Sequence, residues 1–378
     1  MCTVIKVSNE EKNIHIVARS MEFEVDTKSE IAFFPRDTNE ITSEAPAKCE
    51  GVKWVTRYAY IGITAFGLGI SDGINEKGLS AELLWFPENE YPPLDSKKKD
   101  NYLKADYLMN WILGQFDNVN DVVKHLQNVN VWDKERMVPG TNEFFLLPAH
   151  WSVHDAKGNS IVIEFFDRNK DASCPNILNK RTPGAKLHIF ENNVKVMTNG
   201  PSFDWQVTNL KNYVNLNPVN LPTQELKNVK VTGTGQGTGL LGIPGDYTPP
   251  SRFIRVAELL NFSDAVTDSK AAHDSTLRVL NLAEHIMNNV DIIKGTIIEK
   301  EVIEKKNKAE EINLKETTQW VVFKDLCNKI LYYRTYESMT LRKIDMKKFD
   351  VNKHYPSLEL QKDPAIRDIT DDFVKAQS

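Results

Sequence analysis

The sequence predicts an α+β fold in which two antiparallel β-sheets are covered by helices. Segments rich in β-branched and aromatic residues follow one another in pairs separated by short turns, which is the pattern of antiparallel strands. Segments with helical periodicity come in two separate groups between those pairs, instead of alternating with single strands as in a parallel βαβ sheet. No internal repeat is present in the 378 residues.

The predicted strands begin almost at the amino terminus. Thr3 to Val7, a polar turn, and His15 to Ala18 predict a β-hairpin that starts at residue 2 or 3. Further strands are predicted at residues 30–34, 53–63, 79–85, 151–154, 160–166 and 338–344, with strand pairs around 187–197 and 319–333.

Four helices are predicted from apolar residues at spacings of three and four. They cover residues 102–116, 119–129 and 277–290, and a fourth segment for which Ser251 is the predicted amino-terminal cap. The charge-dense residues 299–311 predict a solvated helix or loop, and Lys97 to Lys99 an exposed loop.

Composition and charge exclude two classes of partner. The chain has 47 Lys and Arg against 52 Asp and Glu, with the basic residues scattered, so a nucleic-acid partner has no electrostatic support. Segments without a charge are short: 58–71, an apolar one, has 14 residues, fewer than the about 20 that a membrane helix needs. The amino terminus lacks the pattern of a secretory signal. This predicts a cytoplasmic protein, or a periplasmic one if Met1 stands where a signal peptide was removed.

No metal or cofactor is predicted. The chain has no CxxC pair that would indicate a zinc site or a redox dithiol; its four cysteines are Cys2, Cys49, Cys174 and Cys327. His150 and His154 have the spacing of a zinc helix, but their segment predicts a strand, in which they lie about 13 Å apart. The glycines of residues 237–242 match a dinucleotide fingerprint, but Pro244 prevents the long helix that a pyrophosphate requires.

Cys2 is the most informative residue of the sequence. A small residue after Met1 permits removal of the methionine, which would leave a free α-amine on the residue that carries the thiol. An α-amine has a pKa near 8, against about 10.4 for a lysine, so it is partly unprotonated at neutral pH. It is therefore able to act as the base for its own side chain, and one residue supplies both nucleophile and base.

The residues around Cys2 favour this chemistry over a chance cysteine. Cys2 opens a predicted strand, which would hold the amine rigidly in a sheet. The paired strand brings Arg19, whose guanidinium would favour a thiolate. A nearby carboxylate, that of Glu22 or Asp26, would accept a hydrogen bond from the amine and orient it.

Five motifs in this order resemble those of the choloylglycine hydrolases, the N-terminal nucleophile family of bile-salt hydrolases and penicillin V acylases. They are Cys2-Thr3 with Ala18-Arg19-Ser20-Met21, Gly73-Ile74-Asn75-Glu76-Lys77-Gly78-Leu79, Thr198-Asn199-Gly200-Pro201 with Phe203-Asp204-Trp205, Gly237 to Asp246, and Pro250-Ser251-Arg252-Phe253. The resemblance extends to about residue 345. It implies a four-layer αββα sandwich formed by one domain over residues 1–378, no metal or cofactor, a homo-oligomer that is commonly a tetramer, and amide hydrolysis through a thioester.

The resemblance also implies roles for single residues. Cys2 would be the nucleophile, with Arg19 beside the thiol. Asn199 would donate its side-chain amide to the oxyanion, and a backbone N–H near Trp85 would be the second donor. Arg252 would hold the polar network of the site in place.

Two departures from the family pattern bear on function. The usual aspartate after the Arg-x-Met step is Glu22 here, which leaves the orientation of the amine to Glu22 or to Asp26. Trp85 resembles the Gram-negative branch, which includes penicillin V acylases. Its aromatic partner in that branch is matched by Phe23, and the two rings would form a flat apolar slot for an aryl or alkyl acyl group.

The sequence therefore predicts an amidohydrolase that cleaves a linear amide with an apolar acyl group through a Cys2 thioester. Penicillin V-like amides are the leading small-molecule substrates, with conjugated bile salts second and N-acyl homoserine lactones a further alternative. The alternative of a different class is a relative that binds amphipathic ligands without turnover. The departure at Glu22 motivates it.

Overall fold

Two large antiparallel sheets face each other in the computed structural model, which describes residues 1–67, 69–95, 97–137, 144–168, 184–263, 275–305 and 308–363. In spatial order, the strands of the six-stranded sheet are Val196–Met197, Cys2–Asn9, Ile14–Phe23, Thr317–Asp325, Ile330–Thr335 and Ser338–Asp345. Those of the eight-stranded sheet are Lys186–Glu191, Ser160–Phe166, Ala149–His154, Ser80–Trp85, Gly69–Asn75, Tyr60–Ala65, Glu30–Phe34 and Leu358–Glu359.

Helices cover the outer face of each sheet. The α-helices of the described residues are Leu108–Gln115, Val119–Leu126, Phe203–Asn209, Pro249–Phe262 and Ser275–Met287. Pro249–Phe262 and Ser275–Met287 pack on the strands that begin with Cys2 and Ile14, and Leu108–Gln115 packs on the eight-stranded sheet. One apolar core lies between the two sheets and under the first helix pair, and a second lies between the eight-stranded sheet and its helix. The predicted αββα sandwich is confirmed.

The remaining regular structure consists of short pieces. Two-stranded ribbons pair Asp37–Thr42 with Lys53–Thr56, Tyr102–Lys104 with Asn130–Trp132, Arg136–Met137 with Phe144–Phe145, Gln224–Leu226 with Val229–Val231, and Ile298–Lys305 with Lys308–Lys315. Short 3₁₀ turns lie at Ala105–Tyr107, Leu210–Tyr213, Thr238–Leu240, Asn288–Val290 and Met346–Lys348. In the part of the chain that the structure describes, no helix has the length and apolar character needed to cross a membrane.

The amino-terminal hairpin forms where the sequence predicts it, and its register is continuous from Cys2 opposite Met21 to Asn9 opposite Ile14. The Cys2–Asn9 strand is buried along almost its whole length because sheet and helices cover its two faces. The nucleophile candidate is therefore the first residue of an inner strand.

Several predicted elements differ from the structure. Residues 299–305 and 308–311 do not form the predicted helix or loop, because they lie in the ribbon of Ile298–Lys305 and Lys308–Lys315, where β-branched residues outweigh the charge density. Residues 53–63 form two strands in different sheets, and residues 102–104 pair with Asn130–Trp132 before the helix begins at Leu108. Tertiary pairing overrides helical periodicity there.

The start of the helix that carries Arg252 also differs. Thr248, not Ser251, is the cap residue, because Pro249 suits the first helical turn, where no backbone donor is needed. The Ser251 hydroxyl donates instead to Asp246 Oδ2, at 2.6 Å.

A buried ionic cluster joins the two sheets. Lys324 Nζ donates to both oxygens of Asp72, at 2.7 and 2.8 Å, and to Glu82 Oε1, at 2.6 Å, and all three side chains are fully buried. Burial raises the pKa of Asp72, whereas Lys324 and His154 outweigh burial and hold the pKa of Glu82 below its usual range. Because a charge left unpaired at this depth is costly, the cluster fixes how the Ser80–Trp85 strand faces the six-stranded sheet.

Candidate active site

Cys2 and Arg19 come together through the register of the amino-terminal hairpin. Arg19 lies opposite Val4, two residues from Cys2, and its side chain points to the same face of the sheet. Arg19 Nη2 lies 3.3 Å from Cys2 Sγ, and the two side chains are 1% and 3% exposed. At this distance and depth, the guanidinium stabilises negative charge on the sulfur.

Arg19 has no carboxylate partner among the described residues. Its Nη2 donates to Leu83 O, at 3.1 Å, and its guanidinium carbon lies 4.6 Å from the centre of the Trp320 ring. Its Nε and Nη1 atoms are buried without a hydrogen bond among the described residues. A thiolate at Cys2 would therefore be the closest counter-charge of this buried cation.

Asn199 holds the backbone nitrogen of Cys2. Its Oδ1 accepts the Cys2 N–H at 2.8 Å and Arg252 Nη2 at 2.7 Å. Its Nδ2 donates to Trp85 O, at 2.7 Å. A primary amide has two N–H donors, so one remains for the oxyanion role expected of Asn199.

Arg252 closes the network from the helix side. Its Nη1 donates to Cys2 O, at 2.7 Å, and to the Thr3 hydroxyl, and its Nε donates to Tyr247 O, at 2.9 Å. The side chain is fully buried, and burial lowers the pKa of its guanidinium although Glu22 opposes this. These contacts have the geometry that the expected supporting role requires.

Glu22 is near the site but does not contact the Cys2 nitrogen, whose acceptor is Asn199. Its Oε1 accepts from the Thr318 hydroxyl at 3.1 Å, and its Oε2 is buried without a hydrogen bond among the described residues. Burial raises the pKa of this carboxyl, and Arg252 lowers it by a smaller amount. Glu22 is thus an available buried acceptor in the site, although the amine contact expected of it is absent.

Asp26 does not replace Glu22. Its side chain is 63% exposed, lies 3.8 Å from Lys362 Nζ, and accepts from Lys28 N at 2.9 Å. The turn at Asp26 directs the carboxylate to solvent, whereas the neighbours of Cys2 are buried.

The second oxyanion donor remains a prediction. The Phe86 N–H, which follows Trp85, donates to Pro148 O at 2.6 Å and is therefore used by the sheet. The Trp85 carbonyl is the acceptor of Asn199 Nδ2. The backbone of Trp85 is thus tied directly to Asn199.

Cys2 and Arg19 line an apolar cavity of about 120 Å³ together with Phe23 and Trp85. The rings of Phe23 and Trp85 meet edge to face, with centroids 6.1 Å apart and planes at 71°. Phe66 adds a third ring, 5.2 Å from Phe23 and at 70° to it. The flat slot expected between two rings is therefore wrong: the wall is an edge-to-face cluster of three rings, the arrangement that aromatic quadrupoles favour.

Comparison with known proteins assigns the family. Residues 2–359 match the family model described as linear amide C–N hydrolases, choloylglycine hydrolase family. The chain belongs to the choloylglycine hydrolase family. It is accordingly a hydrolase of linear amides, as the order of the sequence motifs predicts.

Relatives of this choloylglycine hydrolase have two kinds of activity. The chain is 33% identical to the bile salt hydrolase/transferase of Clostridium perfringens (strain 13 / Type A) over 352 residues, which are 92% of this chain and 93% of the relative. It is 30% identical to the penicillin V acylase of Pectobacterium atrosepticum over 198 residues, 51% of this chain and 47% of the relative.

Solved structures agree on the fold. The C2A mutant of the conjugated bile acid hydrolase from Clostridium perfringens has a TM-score of 0.73 and 28% identity, over 98% of this chain and 100% of that chain. Penicillin V acylase from Agrobacterium tumefaciens has a TM-score of 0.65 over 93% of this chain and 88% of that chain, and at 22% identity it supports the fold alone.

Several residues of the hydrolase site were not predicted from sequence. Phe66 lines the cavity from a turn in which its φ is +56°, and Trp320 lies under Arg19. Leu83 contributes a carbonyl oxygen, which carries no side-chain signal in a sequence. The ring of Trp320 falls in a predicted strand, and only the pairing of Met21 with Trp320 places it at the site.

The residues set aside as metal ligands are engaged elsewhere. His150 contacts Glu164 Oε1 and Thr198 O, both at 2.9 Å, and His154 Nδ1 contacts the Ser160 hydroxyl at 2.8 Å. Among the described residues, no group of three ligand-type side chains is positioned to hold a metal ion. Cys174 lies outside the described residues.

Proposed function

We propose that this choloylglycine hydrolase cleaves linear amides with a compact, apolar acyl group, as in the phenoxyacetyl side chain of penicillin V. The observation that carries the proposal is the cavity of about 120 Å³ that Cys2 lines beside Phe23 and Trp85. Sites for drug-sized ligands usually have about 300–1,000 Å³. A single ring with a short linker suits so small a cavity better than a four-ring steroid.

The proposed reaction begins with cleavage of the bond between Met1 and Cys2. The freed α-amine takes the proton of the Cys2 thiol, and the sulfur attacks the amide carbon to form a tetrahedral oxyanion. The C–N bond then breaks, the leaving amine takes the proton, and a thioester remains on Cys2. Water, activated by the same amine, hydrolyses the thioester and releases the carboxylic acid.

The neighbours of Cys2 support each step. Arg19, 3.3 Å from Sγ, stabilises the attacking sulfur, and the second N–H of Asn199 together with a backbone N–H near Trp85 binds the oxyanion. Asn199 Oδ1, which accepts from the Cys2 nitrogen in the structure, keeps the freed amine in place. Arg252 fixes the carbonyl of Cys2 and the oxygen of Asn199.

Glu22 is the further acceptor that we propose for the freed amine. Its buried Oε2 has no hydrogen bond among the described residues, and an ammonium group formed during the reaction would supply one. Glutamate has one methylene more than the aspartate usual in the family. The carboxylate is then still present in the site, at a greater distance from its own backbone.

Two other substrate classes remain in competition. Conjugated bile salts are favoured by the bile salt hydrolase/transferase that is 33% identical over 92% of this chain. N-acyl homoserine lactones present a comparable apolar acyl amide. A relative that binds amphipathic ligands without turnover is the alternative outside enzyme chemistry.

Intact-mass spectrometry with penicillin V tests the proposal. We expect the purified protein to lack the mass of Met1, and an acid-quenched incubation to show a phenoxyacetyl adduct on the Cys2 peptide. Prior alkylation with iodoacetamide should prevent the adduct, because the acyl group and the reagent compete for the same sulfur.

Retained Met1, no adduct and no released phenoxyacetate would contradict the proposal and favour the binding protein. A conjugated steroid acid that forms the adduct while penicillin V does not would overturn the compact-acyl proposal but keep the Cys2 mechanism.

We also propose that a second copy of the chain covers an exposed apolar segment. Residues 214–241, which include the ribbon Gln224–Leu226 and Val229–Val231, display many large apolar side chains to solvent: Val214, Val219, Leu221, Leu226, Val229, Val231 and Leu241 are 45–83% exposed. Exposed apolar surface concentrated in this way marks an interaction site. The family resemblance makes a homo-oligomer the expected occupant.

Light scattering after size exclusion tests this interface. Aspartate at both Leu226 and Val229 is expected to shift the protein from an oligomer to a monomer, because two charges would be buried without partners. Leu94→Asp is the matched control, since Leu94 is also exposed but lies outside residues 214–241. A wild-type monomer, or an equal shift in the control, would contradict the proposal.

A further inference from the structure

Phe23 lies between the acyl cavity and a second, larger cleft. The second cleft has about 530 Å³ and is lined by residues 23–30 together with Gln319, Trp320 and Leu360 among others. Among the described lining residues, Phe23 alone belongs to both cavities. The two spaces therefore adjoin at this residue.

The stack of Arg19 on Trp320 also lies between the two cavities. Arg19 lines the acyl cavity, Trp320 lines the second cleft, and the guanidinium carbon lies 4.6 Å from the ring centre. Both side chains are almost fully buried. Arg19 also contacts Cys2 Sγ, so the proposed reaction requires Arg19 to stay in this position.

The backbone that carries Phe23 is held by Gln319. Its Nε2 donates to Phe23 O at 3.2 Å and to Val25 O at 2.6 Å, and its Oε1 accepts from the N–H and hydroxyl of Thr27 at 3.0 and 2.8 Å. Gln319 is the extra residue of a β-bulge opposite Met21 and Glu22. The segment 23–27 is therefore anchored independently of the Phe23 ring.

The ring itself is held by its neighbours in the acyl cavity. It meets Phe66 and Trp85 edge to face, at 5.2 and 6.1 Å between centroids. Because the anchors of the segment are backbone atoms, truncation of the ring would remove the wall and leave the chain in place.

The acyl cavity and the second cleft suit ligands of different size. The acyl cavity, about 120 Å³, is below the usual range of about 300–1,000 Å³ for drug-sized ligands, whereas the second cleft, about 530 Å³, falls within it. The cleft combines apolar Val25 and Leu360 with charged side chains of both signs. The charged lining residues are Glu24, Asp26, Lys28, Glu30, Lys294, Lys315, Glu337, Glu359 and Lys362. A large acyl group with an apolar body and polar substituents suits such a lining.

We propose that Phe23 is a specificity-determining residue that sets the size limit of the acyl group by closing the acyl cavity against the second cleft. The inference rests on the proposed function, since it assigns the acyl cavity to the acyl part of the substrate. With the ring present, the cavity accepts a single ring on a short linker. Without it, the two spaces join and accept a fused-ring acyl group.

Two alanine variants and two N-acyl glycines test the proposal. The acyl groups are phenoxyacetyl and a hydroxylated four-ring steroid acid. Phe23→Ala is expected to raise kcat/KM for the steroid amide by about tenfold or more and to lower it for the phenoxyacetyl amide. Phe66→Ala removes an equal ring that lines only the acyl cavity, so it should lower the phenoxyacetyl rate without the steroid gain.

A binding measurement separates this inference from the proposed reaction. In the Cys2→Ala background, calorimetry with the two free carboxylic acids should show tighter steroid-acid binding for Phe23→Ala than for Phe66→Ala or the parent. Equal steroid gains in the two alanine variants, no gain in Phe23→Ala, or a parent that already binds the steroid acid as tightly would overturn the inference. If no protein hydrolyses either amide, the proposed function fails, and the binding result still decides the role of Phe23.

Discussion

Replacement of Cys2 by alanine is expected to abolish amide hydrolysis. Removal of the nucleophile of a covalent hydrolase lowers kcat by about 10⁶-fold, because the remaining groups have no acyl acceptor to activate. The fold should persist, since the side chain is small and the backbone contacts of Cys2 with Asn199 and Arg252 do not involve the sulfur. The measurement is kcat for release of phenoxyacetate, with circular dichroism as the test of folding.

Cys2→Ser and Cys327→Ala serve as controls for this prediction. The serine variant keeps a nucleophilic atom and the α-amine but is a weaker nucleophile, so it should retain little activity. Cys327 is a free cysteine whose Sγ contacts Ala156 O, 3.8 Å away, and burial raises the pKa of its thiol. Its alanine variant should be as active as the wild type. Full activity in Cys2→Ala would refute the nucleophile assignment.

Replacement of Asn199 by aspartate is expected to lower kcat by about 10²–10³-fold with a small change in KM. The substitution removes the N–H donors that we propose for the oxyanion and keeps an oxygen for the Cys2 nitrogen and Arg252. Because the oxyanion exists only in the transition state and the tetrahedral intermediate, its loss affects kcat more than substrate binding. Steady-state kinetics with the phenoxyacetyl amide give both constants.

Asn192→Asp is the matched structural control for this second variant. Asn192 is buried like Asn199, and its Nδ2 donates to Val196 O, at 3.2 Å, as that of Asn199 does to Trp85 O. If both variants fold and lose activity equally, the effect reflects packing and not the oxyanion. A wild-type kcat in Asn199→Asp would show that Asn199 is not a donor.

Local sequence patterns predicted much of the fold. The amino-terminal hairpin and the strands Glu30–Phe34 and Ser160–Phe166 follow from β-branched and aromatic residues next to turn residues. The second hairpin strand is predicted only to about Arg19, and in the structure it continues to Phe23. One error occurs where pairing is remote in sequence. The strand Tyr102–Lys104 pairs in parallel with Asn130–Trp132, a contact that no local window contains.

For the candidate site as well, the sequence predicted some features and the structure decided others. The motifs identified Cys2, Arg19, Asn199 and Arg252, and the structure brings these four side chains into one buried network. The sequence left the orientation of the amine between Glu22 and Asp26. In the structure Asp26 lies on the surface and Glu22 is buried. The acceptor of the Cys2 N–H is Asn199 Oδ1.

The sequence by itself determined the family, the αββα sandwich and the residues of the expected chemistry, because these depend on residue types at ordered positions along the chain. The tertiary structure alone decided the shape of the space in front of Cys2. Phe66 reaches this space from a turn. Trp320 lies behind Arg19, where the register of a neighbouring strand places it. The volume of the acyl cavity, the orientation of its rings and the partition at Phe23 depend on contacts between segments about 300 residues apart in the chain. The packing of the whole core sets how these segments meet.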